Sequence, residues 1–208
     1  MADFSIERSC IEGGLQCVVG VDEVGRGALC GPVVAAAVVF PRSLILGEPP
    51  DWVRQTNDSK LLSPRRRAEL VCRIAAETRV GIGWSVSGEV DRLNVFRASQ
   101  AAMRRAVAAL ALSPDLVLVD GVFLRDFPFP QRPLPGGDRI STSIAAASIA
   151  AKVLRDELLV FCAGLYEGYG LERHKGYGTR GHYQALEVLG PTPFHRRSFA
   201  LQSERTLF

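Results

Sequence analysis

Cysteine is scarce and unpatterned in this 208-residue chain. Cys10, Cys17, Cys30, Cys72 and Cys162 contain no C-x-x-C pair. An odd number of thiols at irregular spacing gives neither a zinc framework nor a disulfide scaffold. Free thiols suit a reducing compartment, so a cytoplasmic location is expected. Histidine is scarcer still: His174, His182 and His195 are the whole complement, and the first two lack the spacing of a zinc-protease helix. The run from Val33 to Phe40 is far shorter than the roughly 18 residues a membrane span needs. The N-terminus carries acids and no apolar core, so it is not read as a signal peptide. A G-x-S-x-G elbow, a P-loop and a dinucleotide fingerprint are all missing. Those absences exclude the commonest serine-hydrolase, nucleotide-binding and hydride-transfer sites.

What is present describes a globular chain, 47% hydrophobic and 23% charged, with a mild net charge of +3. Its length suggests one domain, with room for an appended region. Only Lys60, Lys152 and Lys175 among the 25 basic residues are lysine. Arginine suits bidentate phosphate contact, but such a bias also follows genome composition and decides nothing alone.

The chain is organised around residues 17–40. Two apolar, β-branched runs, Gln16 to Val21 and Val33 to Phe40, flank a polar, glycine-rich turn and read as an antiparallel hairpin. Asp22 and Glu23 stand where the first run ends, followed by Gly25-Arg26-Gly27. A carboxylate at the end of a buried strand is costly unless a cation or hydrogen-bond donors compensate. A solvated turn with Arg26 paired to Glu23 is the plainer alternative.

Further along, Ser63-Pro64 starts a helix, with a capping hydroxyl and then proline at the first helical position. Ala68, Val71, Ile74 and Ala75 mark its apolar face, and Arg65, Arg66 and Arg67 are expected to be solvated. Val80, Ile82, Trp84 and Val86 alternate with small residues as a half-buried strand. An alanine-rich helix lies within residues 91–112. Asp115 to Gly121 reads as a strand buried on both faces. Ligands gather at the carboxyl ends of parallel strands, so Asp120 stands where chemistry is expected. Residues 121–139 form a proline-rich connection. Ser141 to Asp156 is a helix of small residues suited to close packing on the sheet, and Asp138 lies just before it. The tail combines glycines, basic residues and tyrosines, which suits nucleic-acid contact.

Four separated acids with no histidine or cysteine framework favour hard, oxygen-binding ions, and such clusters serve phosphoryl chemistry. Together these motifs resemble the ribonuclease HII family, the type 2 ribonucleases H. The resemblance rests on Asp22 to Gly27 with Gly31 to Ala36, Asp58-Ser59-Lys60, Val119-Asp120-Gly121, Ala145 to Ile149 with Ala151, Lys152, Arg155 and Asp156, His174 to Thr179, and His195 to Phe199.

The resemblance implies an α/β, RNase H-like fold: a mixed sheet flanked by helices, with a helical C-terminal part. It divides the chain into a catalytic region, 1–163, and a substrate-contact region, 164–208, packed together as one unit. It implies endonucleolytic cleavage of RNA in RNA–DNA hybrids and on the 5′ side of single ribonucleotides in duplex DNA, with Mg2+ or Mn2+. By resemblance, Asp22, Glu23, Asp120 and Asp138 are the catalytic, metal-binding acids. Gly25, Arg26 and Gly27 read the ribose 2′-hydroxyl, and Tyr177 stacks on the following deoxyribose. The partners implied are those two nucleic acids, with no membrane and a monomeric enzyme. Ala28, Leu61 and Gly136 depart from the usual pattern, where proline, lysine and lysine are common. Residues 201–208 are a candidate partner-binding tail.

Overall fold

The computed structural model describes residues 2–201, so the candidate tail at 202–208 lies outside the described residues. Five strands form one sheet in the order β3-β2-β1-β4-β5. In chain order the elements are α1 (Ser5–Glu12), β1 (Val18–Val24), β2 (Val33–Val39), α2 (Arg42–Leu46), α3 (Asp51–Arg54), α4 (Pro64–Glu77), β3 (Arg79–Ser85), α5 (Ser87–Leu93), α6 (Val95–Ala109), β4 (Leu116–Asp120), β5 (Gln131–Leu134), α7 (Thr142–Ala163), α8 (Leu171–His174) and α9 (Arg180–Leu189). β1, β2 and β3 pair antiparallel, while β4 joins β1 in parallel and β5 joins β4 in parallel. The mixed, helix-flanked sheet is the architecture expected.

Strand alternation assigns the two faces. Val18, Val34, Ala36, Val38 and Leu118 pack with α7 and α4 residues in one core. Val19, Val21, Val33, Ala35, Val117 and Val119 pack with α6 in the other. The smallest residues mark the closest approaches. A Cβ at Gly20 would lie 2.3 Å from the Ser143 carbonyl carbon, and Cβ atoms at Gly81 and Gly83 would lie 2.2 Å from the Ala106 and Ala102 carbonyl oxygens. Thus α7 rides on β1, and α6 on β3, almost backbone to backbone.

Several boundaries differ from the sequence expectations. β1 runs to Val24, so Asp22 and Glu23 lie inside the strand and are held by its ladder, not by a turn. The polar lead-in contains α1, whose Glu7 is buried: its Oε1 accepts from the Ser141 hydroxyl at 2.7 Å and from the Ser143 N–H at 2.8 Å. A carboxylate at a helix N-terminus meets unpaired N–H groups and the favourable end of the dipole, so Glu7 anchors α1 on α7. In β3 it is Gly81 and Gly83 that are buried under α6, whereas Trp84 is 55% exposed. Side-chain size misled because the helix sits on the glycine face. Helix α4 begins at Pro64 with Ser63 as its cap, but it buries Leu70 and Ile74, not Ala68 and Ala75. The proline-rich connection holds β5, an edge strand containing Pro133, where a missing N–H costs least. Helix α7 extends past Asp156 to Ala163.

Gly20→Ala tests the close approach. Overpacking costs about 1–3 kcal/mol, and the clash here involves backbone. Urea unfolding should show a lower midpoint at unchanged slope; an unchanged midpoint would mean that α7 has slack over β1.

Candidate active site

The acids converge through three different elements. β1 supplies Asp22 and Glu23, β4 ends on Asp120, and the 3-10 turn Gly137–Arg139 supplies Asp138. Alternation directs Asp22 and Asp120 to the α7 face and Glu23 to the opposite face. Asp22 and Asp138 are buried, while Glu23 and Asp120 are half-buried. The backbone orients them. Asp22 Oδ1 accepts from the Glu23 N–H at 2.7 Å, and Asp120 Oδ1 accepts from the Gly137 N–H at 2.7 Å. The second bond ties the β4 carboxylate to the turn that carries Asp138.

Their electrostatics are mutually unfavourable. Burial, then the Glu23 and Asp120 charges, push the Asp22 carboxyl well above its ordinary range. Burial raises Glu23 also, against the lowering effect of Arg26. Burial followed by Asp58 and Asp120 raises Asp138. Such a set stays partly protonated unless positive charge arrives, and its donors are all carboxylate oxygens. That is the chemistry of a site for a hard divalent ion.

Two motifs support this cluster in ways that the sequence did not disclose. The Ser148 side chain opposes the rise of the Asp22 carboxyl, and its hydroxyl lies 2.9 Å from Ser59 Oγ. Asp58 caps the turn Ser59–Leu61 by accepting from the Lys60 N–H, and it pairs with Arg139 at 3.2 Å. Asp58 is therefore a further acid near Asp138, itself buried. Only its place within Asp58-Ser59-Lys60 marked it beforehand. Arg67 is not solvated: it donates to the Ser59 and Leu62 carbonyls at 2.8 and 2.6 Å, steadying the same loop. Arg65 and Arg66 are held by Glu69.

Next to the acids lies the Gly25-Arg26-Gly27 turn. Arg26 is exposed and pairs with Glu23 at 3.2 Å, so the plainer alternative is present as a contact within a larger site. Gly25 takes φ +94, a left-handed conformation that a side chain resists. The turn is joined to Tyr177 through the Ala28–Tyr177 bridge and a Leu29 N–H to Gly176 carbonyl bond of 2.8 Å. Ala28, at the position where proline is common, takes part in that bridge. Gly136 adopts φ +68, a left-handed conformation that glycine takes without strain. Leu61 is 67% exposed and fills no core position.

The three histidines form a separate, closed chain. The Thr192 N–H donates to His195 Nδ1 at 3.1 Å, leaving the proton on His195 Nε2. That proton is directed at His182 Nε2, 3.1 Å away, and His182 Nδ1 donates to the Tyr177 carbonyl at 3.0 Å. Burial pulls His195 down to about 4 and pushes the neighbouring Cys30 thiol up to about 12. Cys30, His182 and His195 place their ligand-type atoms within 4.8 Å of one another. Their hydrogen bonds already use both His195 nitrogens, so the group reads as packing, not as a metal centre.

A cluster of carboxylates at the carboxyl ends of β1 and β4 of a mixed, helix-flanked sheet is an arrangement suited to metal-dependent phosphoryl chemistry. A family model described as Ribonuclease HII matches residues 19–202. A ribonuclease HII of Moorella thermoacetica is 50% identical over 197 residues, covering 94% of this chain and 92% of that protein. Among solved structures, the ribonuclease HII of a PCNA complex from Archaeoglobus fulgidus superposes with a TM-score of 0.69 at 21% identity, over 91% of this chain and 98% of that one. Bst-RNase HIII in complex with Mn2+ gives 0.66 at 20% identity, over 90% and 68% respectively. The chain belongs to the ribonuclease HII family, and is a metal-dependent endoribonuclease acting on RNA–DNA hybrids.

The raised Asp22 pKa has a thermodynamic consequence. Its folded value lies above the ordinary 3.8, so the folded state holds the proton more tightly than the unfolded state. In chelator, stability should therefore fall as pH rises from the ordinary carboxylate range through the raised value. Asp22→Asn removes that dependence and should raise the neutral-pH stability in chelator by roughly 1–2 kcal/mol. Mn2+ should raise the wild-type melting temperature and leave the variant's nearly unchanged. Identical melting profiles for both proteins would contradict a repulsive, ion-binding cluster.

Proposed function

We propose that this chain hydrolyses RNA in RNA–DNA hybrids and also cuts on the 5′ side of single ribonucleotides embedded in duplex DNA. The observation that carries the second activity is the physical joining of the Gly25-Arg26-Gly27 turn to Tyr177 beside the acids. The 2′-hydroxyl is what distinguishes RNA from DNA. A reader for it must include a donor or acceptor aimed at one sugar and a surface that disfavours a hydroxyl on the next. The backbone groups of Gly25 and Gly27 and the Arg26 side chain serve the first role, and the Tyr177 ring serves the second.

Asp22, Glu23, Asp120 and Asp138 would hold the divalent ions, Mg2+ or Mn2+, the latter being the ion named with the Bst-RNase HIII neighbour. When bound, such ions polarise the phosphodiester and lower the pKa of water. The chain's own contribution is placement. The β1 ladder and the Gly137 N–H fix the carboxylates, and Arg26 is released from Glu23 to meet the substrate. Hydrolysis by this route leaves 5′-phosphate and 3′-hydroxyl ends. All of these groups come from one chain, so we read the active unit as a monomer. Residues 164–208 act as a substrate-contact region on the catalytic region 1–163. Five free cysteines fit a cytoplasmic enzyme, and among the described residues no helix is long and apolar enough to cross a membrane.

Duplex DNA with one ribonucleotide should be nicked on its 5′ side, sensitive to chelator, while all-DNA duplex stays intact. Asp22→Asn and Asp120→Asn should abolish the nick, with a loss on the order of 100-fold or more, and retain hybrid binding. Turnover preserved in both would sink the assignment of the acids. Arg26→Ala and Tyr177→Ala should reduce cleavage of the single-ribonucleotide duplex more than that of a uniform hybrid.

A further inference from the structure

Two arginines, Arg155 on α7 and Arg196 in the C-terminal segment, are fully buried. Among the described residues neither makes an ion pair within 4.0 Å with a carboxylate. A buried cation without a counter-charge is expensive unless its donors are all used. Here every guanidinium nitrogen donates to a backbone carbonyl, and all but one of those carbonyls belong to residues 26–32. Arg196 Nη1 donates to the Arg26 carbonyl at 2.9 Å, and its Nε and Nη2 both reach the Gly31 carbonyl, at 3.1 and 2.9 Å. Arg155 donates to the Pro32 carbonyl at 3.0 Å, the Cys30 carbonyl at 3.1 Å and the Lys175 carbonyl at 2.9 Å. The Arg196 main-chain N–H takes the Leu29 carbonyl at 2.8 Å.

This accounts for the segment between β1 and β2. It has no ladder of its own across 26–32, so its inward carbonyls would otherwise be orphaned. The guanidinium fork reaches several at fixed angles, which a lysine point charge cannot do. Arg155 also lies directly against Gly25, where a Cβ would come within 2.2 Å of its Nε. Its Cζ stands 5.4 Å from the centre of the Tyr177 ring. One guanidinium therefore touches the turn, the strand entry, the Lys175 carbonyl and the tyrosine ring.

We propose that Arg155 and Arg196 are positioning residues that set ribonucleotide selectivity by fixing the distance between the Gly25-Arg26-Gly27 turn and Tyr177. They act through those groups and touch neither the acids nor the scissile phosphate. The inference rests on the junction-reading role given to the turn and Tyr177 above. It goes further in assigning the rigidity of that reader to two buried cations.

The test is the ratio of single-ribonucleotide cleavage to uniform-hybrid cleavage, measured with one preparation of each protein. The ratio is independent of the fraction folded. Arg196→Lys and Arg155→Lys should each lower it by ~10-fold or more, since misplacement by about an ångström costs up to 100-fold. Hybrid cleavage should be largely retained. In the Arg196→Lys background, Arg26→Ala should change the ratio little, because both lesions act through the same turn. An equal loss on both substrates in the two lysine variants, complete or partial, overturns the proposal, as does full additivity of Arg196→Lys with Arg26→Ala. If instead Arg26→Ala and Tyr177→Ala leave the wild-type ratio unchanged, the junction reading itself falls.

Discussion

Helix α7 lies so close to β1 that no side chain fits at Gly20. Most of the site follows from that approach. With the helix backbone on the strand, Ser148 comes within hydrogen-bond reach of Asp22, two residues beyond Gly20 on the same strand face. The preceding turn then presents Asp138 beside the carboxyl end of β4, where the Gly137 N–H fastens Asp120. The far side of the same helix N-terminus takes Glu7 from α1. The alanine-rich stretch from Ala145 to Ala151 is what lets a helix of this length lie flat on the sheet. Larger residues would lift it and separate the carboxylates from their supports.

That packing places like charges where water is excluded. Burial and mutual repulsion raise Asp22, Glu23 and Asp138 together, so the apo cluster opposes folding while creating strong demand for a divalent cation. Hydrogen bonds from the Glu23 and Gly137 N–H groups offset part of this cost and aim the carboxylates. The sheet is correspondingly conservative elsewhere: Val18, Val19, Val21, Val33, Val34, Val117, Leu118 and Val119 are all buried and apolar. A strained polar site is tolerable on strands whose remaining residues are fully committed to the core.

Much of this was legible in the sequence because the signals were local. β-branched runs gave β1, β2 and β4, and Ser63-Pro64 gave the start of α4. The four acids were visible as polar residues at strand ends and before a helix. What escaped depended on tertiary partners. Nothing local says that Gly81 and Gly83 face a helix, making Trp84 the exposed residue. Nothing local marks Glu7 for burial, because its partners, Ser141 and Ser143, lie far along the chain. Pro133 argued against a strand, and only an edge position reconciles it. Arg67 looked like part of a solvated basic run, yet its guanidinium is occupied by the carbonyls of the Asp58-Ser59-Lys60 loop.

The same blindness applies most strongly to Arg155 and Arg196. Both stand within motifs that carried the family resemblance, but nothing local in the sequence said what either side chain would touch. Their environment in the fold does. A glycine-rich connection is free to take left-handed conformations at Gly25 and Gly31, and that freedom leaves the loop without order of its own. Extending the strand ladder would impose order but would pull the turn flat against β2. Fixed cations beneath the loop impose it without a ladder, drawing the carbonyls inward and leaving the Arg26 side chain to face outward. Neutral donors would leave some of those carbonyls unpaired, and a carboxylate-paired arginine would have fewer donors left for them. A guanidinium with every nitrogen on a backbone carbonyl and no carboxylate partner is thus the arrangement that holds a flexible sequence rigid.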